Sequence, residues 1–195
     1  MSKKICIFGD SIAQGYYDLE EGGWANRLWI YLMEKANVYN LGINGDTSTG
    51  LIERMEQESV ARSADTIIVS IGTNDSLIEN GNSWVDAETF GKNLEKIVNI
   101  SRKLDLKIIF TGVFKVDEKL AAPLSWDENL YSYNRELKKY DSIIENFCLE
   151  KNIAFVPLWE FLEKQDLFDG VHPNAEGHEK IFQRVKTCLE EYKII

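Results

Sequence analysis

The chain has 195 residues, 44% hydrophobic and 28% charged, proportions that exclude a disordered or collagen-like polymer and suit one globular domain over residues 1–195. Its 22 Lys and Arg against 32 Asp and Glu give a net charge of −10, a field that repels nucleic acid and anionic surfaces, and no Lys/Arg cluster offsets it. No apolar run approaches the ~20 residues of a membrane span, so neither nucleic acid nor a bilayer core is an expected partner. The first element is Lys4 to Phe8. After the basic start Met1-Ser2-Lys3-Lys4 this apolar run is too short for a signal-peptide core, and it reads as a strand. An amphipathic segment, Trp24 to Lys35, leads to a second strand at Val38 to Leu41; a helix at Ser48 to Ser63 leads to a third strand at Thr66 to Ile71. A long connection, Asp75 to Asp86, precedes a helix at Ala87 to Leu104 and a strand at Lys107 to Thr111. A second long connection, Gly112 to Asp127, precedes a helix at Asn129 to Lys151, a strand at Ile153 to Val156 and a last helix from about Asn174 to Tyr192.

Short Ile/Val/Phe-rich strands alternating with amphipathic helices imply right-handed crossovers and a parallel sheet covered on both faces. The expected fold is α/β: a three-layer α/β/α sandwich around a five-stranded parallel sheet in the flavodoxin-like order 2-1-3-4-5. Cys6, Cys148 and Cys188 are odd in number and far apart. They predict neither a disulfide framework nor a metal site, and fit a reducing, cytoplasmic setting.

Each unusual polar cluster follows a predicted strand, on the edge where open α/β sheets bind ligands. These are Gly9-Asp10-Ser11-Ile12, Asn40-Leu41-Gly42-Ile43-Asn44-Gly45-Asp46, Gly72-Thr73-Asn74-Asp75 and Asp169-Gly170-Val171-His172-Pro173. A hydroxyl, a carboxylate, an imidazole and amide donors brought to one edge are the parts of an acyl-transfer site. Ser11, on a tight turn, is the candidate nucleophile. His172 is the candidate base, and Asp169, three residues before it, can fix its tautomer. Donors for a developing oxyanion are the Ser11 N–H, the Gly45 N–H and the Asn74 amide. Each piece also has a plainer reading: a capping serine, a positive-φ turn for Gly45, an Asx-turn for Asn74. His178 falls on the last helix and reads as a surface or packing residue. Asp18, Glu20 and Glu21 read as a solvated acidic loop; Trp24 and Trp29 as anchors of the first long helix; Trp159 as a cap on the last strand.

At these residues the sequence resembles the SGNH hydrolases, also called GDSL-type lipases and esterases. Four blocks agree in order over essentially the whole chain: Gly9-Asp10-Ser11-Ile12, Gly45 within Ile43-Asn44-Gly45-Asp46, Gly72-Thr73-Asn74-Asp75, and Asp169-Gly170-Val171-His172-Pro173. The resemblance implies a catalytic triad of Ser11, His172 and Asp169, and an oxyanion hole of Ser11, Gly45 and Asn74. It also implies a small-molecule acyl ester as substrate and no metal or other cofactor. Gly-x-Ser-x-Gly is absent, which separates the chain from the ordinary α/β-hydrolases. The expected activity is hydrolysis of short-chain acyl esters. Carbohydrate O-acetyl esterase is the alternative, then lysophospholipase or thioesterase, and, in a different class, a catalytically silent ligand-binding module. Specificity is expected in the two long connections, where Trp84 and Trp126 either wall a substrate pocket or pack on the domain.

Overall fold

Strand β1 (Lys3–Gly9) has to lie inside a sheet, because Ile5, Cys6, Ile7 and Phe8 are all fully buried and leave neither face to solvent. In the computed structural model, which describes residues 2–195, it is followed by a helical turn Ser11–Gln14, α1 (Trp24–Leu32), β2 (Ala36–Gly42), α2 (Ser48–Arg62) and β3 (Thr66–Ser70). Then come α3 (Ala87–Lys103), β4 (Lys107–Thr111), α4 (Asn134–Lys151), β5 (Ala154–Val156) and α5 (Ala175–Glu191). All five strands run parallel in the order β2-β1-β3-β4-β5, the order the sequence predicts.

Alternate residues of each strand serve opposite layers. Ile5, Ile7, Ile68, Ile109 and Val156 pack under α1 and α5 with Trp24, Leu28, Val185 and Leu189. Cys6, Phe8, Ile67, Val69 and Phe110 pack under α2, α3 and α4 with Leu51, Met55, Phe90, Leu94 and Ile144. Side-chain caps set the helix starts: Thr47 accepts from Gly50 N–H, Asp86 from Glu88 and Thr89 N–H, and Asn174 from Gly177 N–H. The register Gly9 with Gly42 and Ser70 aligns the strand exits on one edge.

The structure departs from the sequence reading in the two long connections. Ile78–Glu79 pairs antiparallel with both Asn82–Ser83 and Leu130–Tyr131, forming a small three-stranded sheet. Leu130 and Tyr131 therefore belong to a strand, and α4 begins at Asn134, five residues later than its periodicity suggests. Between β4 and that strand a helical turn, Glu118–Ala121, forms over a third apolar cluster of Leu77, Val113, Val116, Leu124, Leu130 and Leu137. Trp24 is buried as an anchor of α1, but Trp29 is 42% exposed and anchors nothing. Trp159 packs on the third cluster beneath the Lys138 and Lys115 ammonium groups, 4.9 and 5.7 Å from its ring. The three thiols are free and buried, which pushes those of Cys6 and Cys148 up to about 12. No described helix is long and apolar enough to cross a membrane.

In the acidic loop Glu20 and Glu21 are solvated as expected, but Asp18 is not. Asp18 is buried; it accepts the N–H groups of Glu20 (3.1 Å), Glu21 (3.2 Å) and Gly23 (2.9 Å) and pairs with Arg27 at 3.2 Å. Burial raises its carboxyl, but those hydrogen bonds and the guanidinium outweigh it and hold the group below the ordinary value. Arg27 is equally buried and also reaches Glu21 and Glu179. Removing Arg27 strands a buried carboxylate, so Arg27→Met should cost ~3–5 kcal/mol in urea unfolding. Exposed Glu20→Gln should stay within about 0.5 kcal/mol.

Candidate active site

The end of β1 turns sharply into the helical turn Ser11–Gln14 because Asp10 caps it, its Oδ1 accepting Ile12 N–H at 2.9 Å. Ser11 Oγ then lies 2.9 Å from Nε2 of His172, which comes from the loop before α5. Asp169 shapes that loop: Oδ1 accepts the N–H of Val171 (3.0 Å) and of His172 (2.8 Å), while Oδ2 lies 2.8 Å from His172 Nδ1. A carboxylate can only accept, so the Asp169 contact places the ring proton on Nδ1 and leaves Nε2 to accept from the Ser11 hydroxyl. Burial pushes the Asp169 carboxyl up; the hydrogen bonds from the His172 ring and backbone, with that of Val171, outweigh this and hold it below the ordinary value. Ser11, Asp169 and His172, 158 or more residues apart from first to second, form one hydrogen-bonded chain.

Two further segments meet Ser11. The four residues Ile43 to Asp46 form a turn closed by Asp46 N–H to Ile43 O at 3.0 Å, with Gly45 at φ +77° in its third position, where a type II turn requires glycine or asparagine. A Cβ on Gly45 would meet nothing within 4 Å, so the dihedral angle, and not a close approach, is what demands glycine there. From the loop after β3, Asn74 Nδ2 donates to Asp46 O at 2.9 Å, which orients the amide and leaves its second N–H unspent. Ser11 heads its helical turn, so its N–H has no intrahelical acceptor. Ser11, Gly45, Asn74 and His172 share the lining of one pocket of about 280 Å³.

The pocket walls are aromatic and aliphatic: Tyr16, Tyr17, Leu77, Trp84, Trp126 and Leu130. Both tryptophans singled out in the sequence line it, and the Trp126 ring centre is 5.1 Å from that of His172. Tyr16 and Tyr17 lie 5.2 and 5.6 Å from the same ring, and Tyr17 stacks on Phe168 at 4.1 Å. Sequence reasoning missed these tyrosines. Their signal is two adjacent aromatics after Gly15, within one loop of the candidate serine. His178 is outside the pocket, buried, accepting from Trp24 N–H (3.3 Å) and donating to Tyr16 O (3.2 Å); burial lowers it to about 4, so it stays neutral and packs, as its position predicts. Among the described residues no three His, Cys, Asp or Glu side chains gather as a metal site.

The model of the GDSL-like Lipase/Acylhydrolase family matches residues 7–180. The chain belongs to this family. It is a carboxylic ester hydrolase of the SGNH type, similar at 25% identity over 206 residues to the isoamyl acetate-hydrolyzing esterase 1 homolog of Homo sapiens, covering 96% of this chain and 82% of that one. It is 23% identical to an arylesterase of Vibrio mimicus, over 98% of this chain and 90% of the relative. Its fold is shared with a GDSL-like lipase of Bacteroides thetaiotaomicron (TM-score 0.75, 21% identity, 97% and 89% of the two chains covered). The acetylxylan esterase Axe2 of Geobacillus stearothermophilus shares it too (TM-score 0.72, 21% identity, 96% and 94% covered).

In this esterase the carboxyl beside Ser11 is buried. Burial dominates at Asp10 and pushes it from 3.8 to about 7, against the opposing pull of the Ile12 N–H and the His172 charge. The folded state therefore holds this proton more tightly than the unfolded chain. The resulting stability is present below the unfolded value and lost as pH rises through about 7. Asp10→Asn keeps an acceptor for Ile12 N–H and never ionises. It should melt about 5 °C above wild type at pH 8, and the gap should close as pH is lowered to 4.

Proposed function

We propose that this protein is a serine esterase of short-chain acyl esters, working through an acyl-enzyme with Ser11 as nucleophile. The observation that carries this reading is the unbroken chain Ser11 Oγ–His172 Nε2 (2.9 Å) and His172 Nδ1–Asp169 Oδ2 (2.8 Å) opening on a pocket edged by amide donors. His172 takes the Ser11 proton as Oγ attacks the ester carbonyl, and Asp169 stabilises the imidazolium that forms. The N–H groups of Ser11, Gly45 and Asn74 receive the oxyanion. Collapse of the tetrahedral intermediate expels the alcohol, which leaves with the proton from His172. Water, activated by the same imidazole, then attacks the acyl-serine and frees the acid. No metal or cofactor enters these steps. We take residues 1–195 as one hydrolase domain, and the free, buried thiols fit a cytoplasmic setting.

A pocket of about 280 Å³ suits a small acyl group with part of its alcohol, and not a long acyl tail. The second reading, a carbohydrate O-acetyl esterase, is favoured by the rim: Trp84 and Trp126 are 39% and 49% exposed, offering indole faces on which a sugar ring can stack. The acetylxylan esterase whose fold this chain shares points the same way.

Ser11→Ala and His172→Ala should each lower kcat/KM on p-nitrophenyl acetate by at least ~10³-fold with unchanged circular dichroism, and Asp169→Asn by about 10²–10⁴. Wild-type rates in the first two would sink the assignment, and labelling of Ser11 by a fluorophosphonate separates an enzyme from a silent binding module. Across a p-nitrophenyl series, acetate and butyrate should turn over faster than octanoate. Trp126→Ala should raise KM on acetylated xylo-oligosaccharides more than on p-nitrophenyl acetate if sugar esters are the substrates, and equally on both if simple esters are.

A further inference from the structure

The turn carrying Gly45 and the loop carrying Asn74 meet at Asp46, and every polar group of that residue is engaged. Its N–H closes the turn on Ile43 O (3.0 Å), and its carbonyl accepts from Asn74 Nδ2 (2.9 Å). Its Oδ1 accepts Thr47 N–H (3.0 Å), and its Oδ2 accepts both Nε (3.0 Å) and Nη2 (2.6 Å) of Arg54, one turn and more along α2. Arg54 continues to β1. Its Nη2 reaches Gly9 O at 3.4 Å, a carbonyl that also takes Ile43 N–H at 3.0 Å, and its guanidinium lies 5.4 Å from the Phe8 ring centre. Gly9 is two residues before Ser11. The ion pair is largely desolvated, the Arg54 and Asp46 side chains being 16% and 8% exposed. Thus one residue pair touches the backbone ahead of Ser11, the turn of Gly45 and the amide of Asn74.

We propose that Asp46 and Arg54 are positioning residues for ester hydrolysis: their ion pair locks the Gly45 turn against the Asn74 amide and the β1 exit, so that three N–H groups converge on the oxygen that becomes the oxyanion. The proposal rests on the reading of Ser11 as nucleophile. Preorganised donors act only when held to within ~0.5 Å of the productive geometry. Neither Asp46 nor Arg54 lines the pocket, so their effect reaches the substrate through the residues they hold.

A discriminating substitution is built into α2. A Cβ on Gly50 would stand 2.3 Å from Asp46 Oδ1 and meet no other group but the same carboxylate, so Gly50→Ala must shift Oδ1 from its place on Thr47 N–H and, through the shared carboxylate, strain the Oδ2 contact with Arg54. The same change raises helix propensity by about 1 kcal/mol. That gain offsets part of the cost of disturbing the ion pair, so Gly50→Ala perturbs the carboxylate at a smaller loss of stability than Arg54→Met.

The test compares the wild-type chain with Gly50→Ala, Arg54→Met, Arg54→Lys and Ser11→Ala, using p-nitrophenyl acetate and expressing kcat per serine titrated to completion with a fluorophosphonate. Gly50→Ala and Arg54→Met should lower kcat by ~10–100-fold, in keeping with ~10²–10³ for outright loss of one donor, with KM within about threefold of wild type. Affinity for butylboronic acid, which forms a tetrahedral adduct on serine, should fall by the same factor as kcat. Gly50→Ala should melt above Arg54→Met, and Arg54→Lys, which keeps charge but loses the fork, should have a kcat between those of wild type and Arg54→Met. If Ser11→Ala is inactive while Gly50→Ala keeps kcat per titrated serine within about twofold, or loses only KM, or keeps its boronate affinity, the positioning role is overturned and the catalytic reading survives. If Ser11→Ala itself turns over at the wild-type rate, it is the catalytic reading that fails. Should Arg54→Met not fold, Gly50→Ala decides alone.

Discussion

The hydrogen bond between Ser11 and His172 joins residues 161 positions apart, and the rest of the site is arranged so that it can form. Its first requirement is the parallel sheet, which sends the chain after β1 and the chain after β5 to the same edge. The second is rigidity of the His172 loop. Asp169 accepts two backbone N–H groups besides the ring, and Phe168 N–H closes the same loop on His172 O at 2.8 Å. The imidazole is thus held by main chain and side chain together, and the carboxylate that would assist it in catalysis is also what folds the loop. Structural and chemical duties are combined in one residue.

Three carboxyl groups around the pocket show how hydrogen bonding decides between burial and charge. Asp169 is held low by the donors it accepts from. Asp75, fully buried, accepts Ser48 N–H at 2.9 Å and the Ser48 hydroxyl, yet burial still wins and raises it to about 6. Asp10, with fewer donors, rises to about 7. Asp75 lets the loop of Asn74 grip the first residue of α2, a contact extended by Asn93 Nδ2 to Ser48 Oγ at 2.9 Å. At neutral pH Asp10 and Asp75 weaken the fold in proportion to their ionisation, and in return they fix the two turns that flank the proposed nucleophile.

Much of this was legible in the sequence, for a definable reason. Central strands buried on both faces are unmistakable as short Ile/Val/Phe runs, so Lys107–Thr111 is found to the residue and the others to within two. Three of the four polar blocks are local too, following their strands within a few residues, and the fourth, Asp169 to Pro173, lies on the loop from the last strand to the last helix, so Ser11, Gly45, Asn74, Asp169 and His172 are all found at one edge. What was illegible depends on partners distant in sequence. Leu130–Tyr131 has helical periodicity on its own and becomes a strand only because Ile78–Glu79 lies beside it. Asp18 looks like any loop carboxylate until Arg27 is brought over it, and Trp29 like any helix anchor until its face proves to be the outer one. Tyr16 and Tyr17 could not be placed without knowing that their loop folds back over His172.

The floor and the walls of the pocket have different origins. The floor is made of the turns that leave β1, β2 and β3 and of the loop before α5. The walls come from segments inserted after β1, β3 and β4: Tyr16 and Tyr17, Leu77 and Trp84, Trp126 and Leu130. The second and third insertions are not independent, because the strand Leu130–Tyr131 hydrogen-bonds to Ile78–Glu79 and the two share the apolar cluster of Leu77, Val113 and Leu130. A change of length or sequence in one insertion is therefore transmitted to the opposite wall through backbone pairing, and the insertion after β4 also reaches the His172 loop, where Asp117 N–H bonds Gly170 O at 2.8 Å and Val171 joins the same cluster. The walls after β3 and β4 thus vary together and bear on the imidazole loop, while Tyr16 and Tyr17, from the insertion after β1, rest directly against the His172 ring.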